Sequence, residues 1–192
     1  NNTPDTFVEW VDDEYNGKFI ISRMPESFGI TKTIEPYMDT YIPLFGHKFV
    51  ASADPYKVEG RDNYRMSRGG GAVRWMYDPE VDGVEPNKYN YQSQSLLMTY
   101  EYKPETMEEY LEDMLMMTIF WGAYMYPEEN IQVISKYFIE RGYKGLLLYE
   151  IDPITGKMKE YPGWITDRIN KAQLFNLIKN DLEYHAHKCN HI

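Results

Sequence analysis

Cysteine, long apolar runs and basic residues are all scarce in this sequence. Cys189 is the single cysteine, which excludes an internal disulfide framework and fits a reducing compartment. No apolar stretch approaches the roughly 18 residues of a membrane-spanning helix. The polar start NNTPDTF lacks the basic and apolar regions of a signal peptide. These absences predict a protein that works in a cytosol, away from membranes and without redox chemistry.

The shortage of positive charge bears on nucleic-acid binding. The sequence has 20 Lys and Arg against 30 Asp and Glu, a net charge of −10. Backbone binding draws its affinity from basic side chains that neutralise phosphates, so this balance argues against a sequence-independent DNA clamp. It remains compatible with a protein that meets phosphate through bound metal ions. In many soluble domains an acidic balance serves solubility alone.

The distribution of prolines divides the chain. With 192 residues and 43% hydrophobic content, the sequence is long enough to bury one core. Residues 1–45 carry four prolines, which interrupt any long helical period. We therefore predict a linker or wrapping arm over residues 1–45 and a domain over residues 46–192.

Three short apolar runs follow in close order and predict three consecutive strands. They are HKFVASADP, which ends in a turn at Asp54, then GGGAVRWMYD and SQSLLMTYEY. Their aromatic and β-branched residues favour strands, and Asp-Pro favours a turn. The stretch DPEVDGVEPNKYNYQ between the second and third runs is typical of a loop.

The second half of the chain alternates between helix and strand. Helices are predicted in ETMEEYLEDMLMMTIFWG, NIQVISKYFIERG and INKAQLFNLIKNDLEYHAH. Between them, AYMYP and KGLLLYE are short apolar strands. An antiparallel start and a parallel finish predict an α/β fold with one mixed sheet. This is the RNase H-like arrangement, with about five strands, the first three antiparallel, flanked by helices.

Four segments carry a recognisable pattern: HKFVASADPYKVEGRDNYRMSRGGGAV, LLMTYEYKPETMEEYLEDML, AYMYPEENIQVISKYFIERGYKGLLLY and PGWITDRINKAQLF. Together they resemble the C-terminal nuclease domain of phage terminase large subunits, in particular the branch of crAss-like phages of gut bacteria. The first segment is similar to the family's first strand, which ends in Asp-Pro. The third is similar to its strand ending in an acid, with Asn two positions later. The fourth is similar to its Gly-Trp-x-Thr segment before a lysine-bearing helix.

The resemblance implies a metal site built from acidic residues. Asp54 matches the family's first metal-binding aspartate, and Glu128, followed by Asn130, matches the acid at the later strand end. Both are therefore predicted to be catalytic and metal-binding. Glu129 is a competing assignment, because the sequence does not show which of two adjacent carboxylates turns inward. The residues predicted to bind substrate are Thr166, Arg168 and Lys171.

The implied chemistry needs oxygen ligands. In-line hydrolysis of a phosphodiester is served by two cations about 4 Å apart, which activate the water and stabilise the leaving oxygen. Mg²⁺ or Mn²⁺ suits such a site, because Mg²⁺ prefers oxygen ligands and keeps several waters. A few carboxylates at adjoining strand ends are therefore sufficient.

Each candidate also has a simpler interpretation. Taken alone, Asp54 before a proline is typical of a turn, and Glu128 and Glu129 before a helix are typical of its first turn. The resemblance over several segments favours metal binding for all three. In the loop after Asp54, Glu59 and Asp62 are further candidates, with Asp62 included in the predicted metal site and a solvated loop acid as its alternative.

Two other groups of residues are interpreted as structural. The run His185, His187, Cys189 and His191 superficially resembles zinc ligands, but alternate spacing near a helix end does not converge side chains on one point. The 18 tyrosines and 4 tryptophans are typical of a sheet core, although base stacking is an alternative.

The chain departs from the family's pattern in two ways. Arg68 stands where family members commonly have an acid. The family's third metal-binding aspartate lies beyond the lysine-bearing helix, so we expect it past Ile192, in a last helix that this sequence does not include. The sequence also has no GxxxxGK[ST] motif, so the ATP-hydrolysing motor of the family is not expected in it.

The leading hypothesis is a metal-dependent endonuclease domain that cleaves concatemeric double-stranded viral DNA. Its expected partners are that DNA, the terminase ATPase domain, the small terminase subunit and the portal, in the cytoplasm of the infected bacterial host. An alternative is a non-catalytic RNase H-like module that docks DNA, portal or motor. A third hypothesis is an unrelated, aromatic-rich binding module.

Overall fold

The structure is a computed structural model that describes residues 8–55, 68–83, 93–130, 132–152 and 154–185. Its strands are β1 (Phe19–Ile21), β2 (Ile34–Tyr37), β3 (Thr40–Pro43), β4 (Phe49–Asp54), β5 (Gly69–Trp75), β6 (Leu96–Tyr102) and β7 (Tyr124–Pro127). Its helices are α1 (Pro79–Asp82), α2 (Met107–Trp121), α3 (Val133–Glu140) and α4 (Arg168–His185). Single 3-10 turns occur at Pro25–Phe28 and Lys144–Leu146.

Five of the strands form one mixed sheet in the order β1-β6-β5-β4-β7. The pairs β4–β5 and β5–β6 are antiparallel, whereas β4 and β7 are parallel. The predicted α/β fold is therefore confirmed, with its antiparallel start, its parallel finish and its flanking helices. Because β4 and β7 are parallel neighbours, both strands end at the same edge of the sheet.

Helix α2 covers the central strands because its sequence provides both caps and an apolar surface. The Thr106 side chain accepts a hydrogen bond from the Glu109 amide, and Gly122 ends the helix in the left-handed conformation. Met114 is fully buried against β5, where a Cβ at Gly71 would lie 2.8 Å from the Met114 sulfur. This glycine therefore lets the helix approach the sheet closely.

Aromatic side chains fill the core beneath α2. Phe49 and Trp121 are fully buried, with ring centroids 5.2 Å apart. Phe28 packs edge-on against Trp75, with centroids 4.9 Å apart. For these rings the core interpretation holds.

Part of the segment assigned to a linker or wrapping arm joins the sheet. Strand β1 pairs antiparallel with β6 as the edge strand, and β2 and β3 form a separate two-stranded sheet. Lys18, which directly precedes β1, forms salt bridges with two residues of α2, Glu109 at 2.6 Å and the buried Asp113 at 3.0 Å. The domain boundary at residue 45 stays a prediction.

Two local predictions were wrong. The run KGLLLYE was predicted as a strand, but it forms a 3-10 turn at Lys144–Leu146, and only Leu147 makes an isolated parallel bridge to Met125. The fifth strand of the sheet is β1 instead. The loop predicted after β5 begins with the helical turn α1, in which the Asp78 side chain accepts a hydrogen bond from the Glu80 amide.

Helix α4 corresponds to the predicted final amphipathic helix. Several of its apolar side chains are exposed, including Phe175 at 62% and Leu177 at 65%. Within the described ranges, no helix is both long enough and apolar enough to span a membrane.

Candidate functional site

Asp54 and Glu128 lie side by side where two parallel strands end. Asp54 is the last residue of β4, and Glu128 directly follows β7. Ala53 pairs with Pro127, and the Glu128 amide donates a hydrogen bond to the Ala53 carbonyl at 2.9 Å. The parallel register therefore sets the two acids next to each other, and their carboxyl groups are hydrogen-bonded.

The two carboxyl groups have opposite pKa shifts. Loss of water around the Asp54 carboxyl at the crowded strand ends raises its pKa to about 7, and the hydrogen bond and negative charge of Glu128 add to this shift. The pKa of Glu128 is lowered, first by the hydrogen bond with Asp54 and then by Thr166 and the charge of Lys171. The pair therefore shares one proton close to neutral pH.

A small polar network holds the Glu128 side chain. Asn130 Nδ2 donates to Glu128 Oε1 at 2.7 Å, and the Thr166 hydroxyl donates to the same oxygen. The Thr166 amide donates to Asn130 Oδ1 at 3.0 Å, which closes the network. Two neutral donors thus converge on one oxygen of the carboxylate.

The Gly-Trp-x-Thr segment reaches Glu128 because it runs along the end of β7. The Trp164 amide donates to the Pro127 carbonyl at 3.1 Å, and the Glu129 amide donates to the Trp164 carbonyl at 2.8 Å. Gly163 has φ +68°, and a Cβ there would lie 2.1 Å from the Pro127 carbonyl oxygen. This contact requires glycine and sets the position from which Thr166 reaches Glu128.

Glu129 points away from this pair. It is 2% exposed, and Ser135 of α3 donates its hydroxyl to Glu129 Oε2 at 2.8 Å. Burial raises the pKa of Glu129. The alternation of β7, in which Met125 and Pro127 are buried, places Glu129 on the buried side and Glu128 on the open side. This alternation can be read from the sequence, and it could have shown that Glu128 faces the open side and Glu129 the buried side.

Some of the other predicted residues lie outside the part of the chain that the structure describes. Arg168 is the first residue of α4. Glu59 and Asp62 fall outside the described residues, as do His187, Cys189 and His191. Arg68 pairs with Glu101 at 3.1 Å, and both side chains are exposed.

The donor set fits one hard cation. Asp54 and Glu128 are adjacent carboxylates, which Mg²⁺ and Mn²⁺ accept as oxygen ligands while keeping waters in their remaining positions. Among the residues that the structure describes, no group of three or more His, Cys, Asp or Glu side chains converges as a metal site. The described side chains therefore supply a pair of ligands.

Comparison with known proteins returned no matching family model, no matching curated protein and no matching solved structure. The terminase resemblance thus stays a prediction.

Proposed function

We propose that this chain is the metal-dependent endonuclease domain of a viral DNA-packaging terminase. The observation that carries the proposal is the Asp54–Glu128 pair at adjoining strand ends of a mixed sheet. Such an edge gathers residues from different parts of the chain at one solvent-accessible place. Its substrate is concatemeric double-stranded DNA, in the cytoplasm of the infected bacterial host.

Asp54 and Glu128 would hold Mg²⁺ or Mn²⁺. When bound, such ions lower the pKa of a water and stabilise the leaving oxygen of a phosphodiester. The adjacency of the two acids at parallel strand ends supports this assignment, because two neighbouring carboxylates attract a divalent cation and offer it oxygen ligands. A two-ion centre needs at least one further carboxylate, for which Asp62 and an aspartate past Ile192 are the candidates.

The side chains around the pair have complementary tasks. Lys171 lowers the pKa of Glu128 through its positive charge, and that charge is suited to a DNA phosphate, as is the charge of Arg168, the first residue of α4. The hydroxyl of Thr166, the third residue predicted to bind substrate, donates to Glu128 in this structure. The terminase ATPase domain, small subunit and portal would supply the grip on DNA that a chain with a net charge of −10 lacks.

Metal-dependent melting tests the proposal. A ligand that binds only the native state raises stability by mass action, so millimolar Mn²⁺ should raise the Tm of the wild type. Asp54→Asn should lose this rise, because the amide keeps the shape but not the charge. Asp39→Asn is the matched control, since it makes the same change at an exposed surface ion pair. Equal Mn²⁺ shifts in the wild type and Asp54→Asn would refute the site.

An adjacent pair of carboxylates can bind a cation without hydrolysing DNA, so a non-catalytic docking module is the second candidate. Plasmid nicking separates the two functions. The nuclease proposal expects nicking with added Mn²⁺, by this chain or by one extended past Ile192, and its loss in Asp54→Asn. Metal binding without nicking by the extended chain would favour the docking module.

A further inference from the structure

The orientation of the Asn130 side chain is fixed from both ends. The Thr166 backbone N–H can only donate, so the amide atom that it contacts at 3.0 Å is the oxygen. The amide nitrogen must then face Glu128, where it donates at 2.7 Å. A single arrangement therefore satisfies both contacts, and it brings a donor to the carboxylate.

The network acts on one oxygen of Glu128. Asn130 and the Thr166 hydroxyl both donate to Oε1, so the carboxylate cannot turn without losing two hydrogen bonds. Asn130 is exposed and Thr166 is half-buried. Exposed hydrogen bonds add little to folding, so fixing a carboxylate is the better account of this arrangement.

The backbone supports the same geometry. Thr166 follows the Gly163–Trp164 contact with β7, so its position is tied to the strand that carries Glu128. The carboxylate, its two donors and the strand end thus form one connected unit.

We propose that Asn130 and Thr166 are positioning residues that hold the Glu128 carboxylate in the orientation that receives a divalent cation together with Asp54. This inference rests on the proposed function. Groups that orient a metal ligand typically contribute about 10- to 100-fold to metal affinity.

The experiment measures Mn²⁺ affinity by calorimetry on the full chain, together with the Tm in EDTA. Thr166→Val and Asn130→Ala should each weaken Mn²⁺ binding by about 10- to 100-fold, with little change of Tm in EDTA. Thr166→Ser keeps the hydroxyl and should bind Mn²⁺ nearly as the wild type does. Thr155→Val, the same change in an exposed turn, is the control.

The double variant adds a second measurement. If Asn130 and Thr166 act as a unit, the loss in Thr166→Val/Asn130→Ala should be smaller than the product of the two single losses. If the loss in the double variant equals the product of the two single losses, Asn130 and Thr166 do not act as one connected unit.

The outcomes separate the inference from the proposed function. If the wild type binds Mn²⁺, Asp54→Asn does not, and Thr166→Val and Asn130→Ala stay within about twofold of the wild type, the positioning role is refuted and the metal site stands. A Thr166→Ser protein as weak as Thr166→Val also refutes the positioning role. If the wild type and Asp54→Asn respond alike to Mn²⁺, the proposed function fails and the inference fails with it.

Discussion

At the scale of single residues, the site is defined by two acids that cannot both ionise freely. Asp54 and Glu128 come from strands that are far apart in sequence but parallel in the sheet. Loss of water, followed by the hydrogen bond and charge of Glu128, raises the pKa of Asp54 to about 7, and the hydrogen bond with Asp54 lowers the pKa of Glu128. Repulsion between the two carboxylates is thus built into the metal-free protein, and a cation relieves it.

The raised pKa of Asp54 predicts that the stability of the protein depends on pH. The pKa of Asp54 is raised from 3.8 to about 7, so between these values the folded protein binds more protons than the unfolded chain. The unfolding free energy contributed by Asp54 therefore falls as pH rises through this window, and it stays low above pH 7. Asp54→Asn lacks the titrating group and should lose this part of the decline.

Denaturant unfolding in EDTA from pH 4 to 8 measures the effect. As pH rises, the unfolding free energy of the wild type should fall relative to that of Asp54→Asn. Saturating Mn²⁺ should reverse that fall at pH 8. A difference that does not change with pH would show that the raised pKa of Asp54 is wrong.

At the scale of elements, the site depends on how the segment before α4 is attached to β7. The Trp164 amide and the Pro127 carbonyl form the link, and Gly163 makes the close approach possible. Among the described residues, Asn130 and Glu128, just after β7, make the hydrogen bonds that hold Thr166. The geometry of this short segment therefore controls whether Thr166 reaches Glu128.

Gly163→Ala tests this attachment. The new Cβ would lie 2.1 Å from the Pro127 carbonyl oxygen, in a backbone conformation with φ +68°. We expect a loss of about 2 to 5 kcal/mol in unfolding free energy, from the clash and the left-handed strain together. Gly156→Ala is the matched control, since φ is +65° and nothing lies within 4 Å of its added Cβ. It should cost about 1–2 kcal/mol, and equal losses at the two positions would contradict the close contact.

The strands and helices differ in how far the sequence alone could predict them. Strands β4 to β7 and helix α2 carry strong local signals, namely apolar runs, glycine or proline boundaries and a Thr106 cap, so they were predicted. Strand β1 has three residues, and its structure comes from pairing with β6. The run at Leu146–Leu148 is apolar enough for a strand, but its burial is satisfied in a 3-10 turn and a bridge. Tertiary contacts decided both cases.

The site also has a part that the sequence predicted and a part that it did not. Asp54 and Glu128 were predicted from the resemblance, at strand ends that the apolar runs also predicted. The contacts of Thr166 with Asn130 and Glu128 join positions 36 and 38 residues apart. Spacing alone does not reveal such contacts, and only the folded segment at Gly163 brings the residues together.

At the scale of the whole molecule, the net charge bears on the proposed binding of DNA. A net charge of −10 repels a phosphate backbone over about one Debye length, roughly 8 Å at physiological ionic strength. Lys171 is a cation beside the acidic pair Asp54–Glu128 and lowers the pKa of Glu128 through its charge. A divalent ion at the Asp54–Glu128 pair would offset the negative charge of both carboxylates at the place where the proposed function has DNA approach.

Divalent metal should therefore switch DNA binding on. In EDTA at physiological salt, we expect the chain to bind a labelled DNA duplex more weakly than about 10⁻⁴ M, the weak end of non-specific binding. Millimolar Mn²⁺ should produce saturable binding, because Asp54 and Glu128 would hold the cation and its charge would attract phosphate. Fluorescence anisotropy measures this, with phosphorothioate linkages in the duplex to resist hydrolysis. Asp54→Asn should bind no better in Mn²⁺ than in EDTA, whereas Asp39→Asn should behave as the wild type. Tight binding in EDTA that falls steeply with added salt, and that is unchanged in Asp54→Asn, would instead reveal a basic surface that contacts DNA without the metal site.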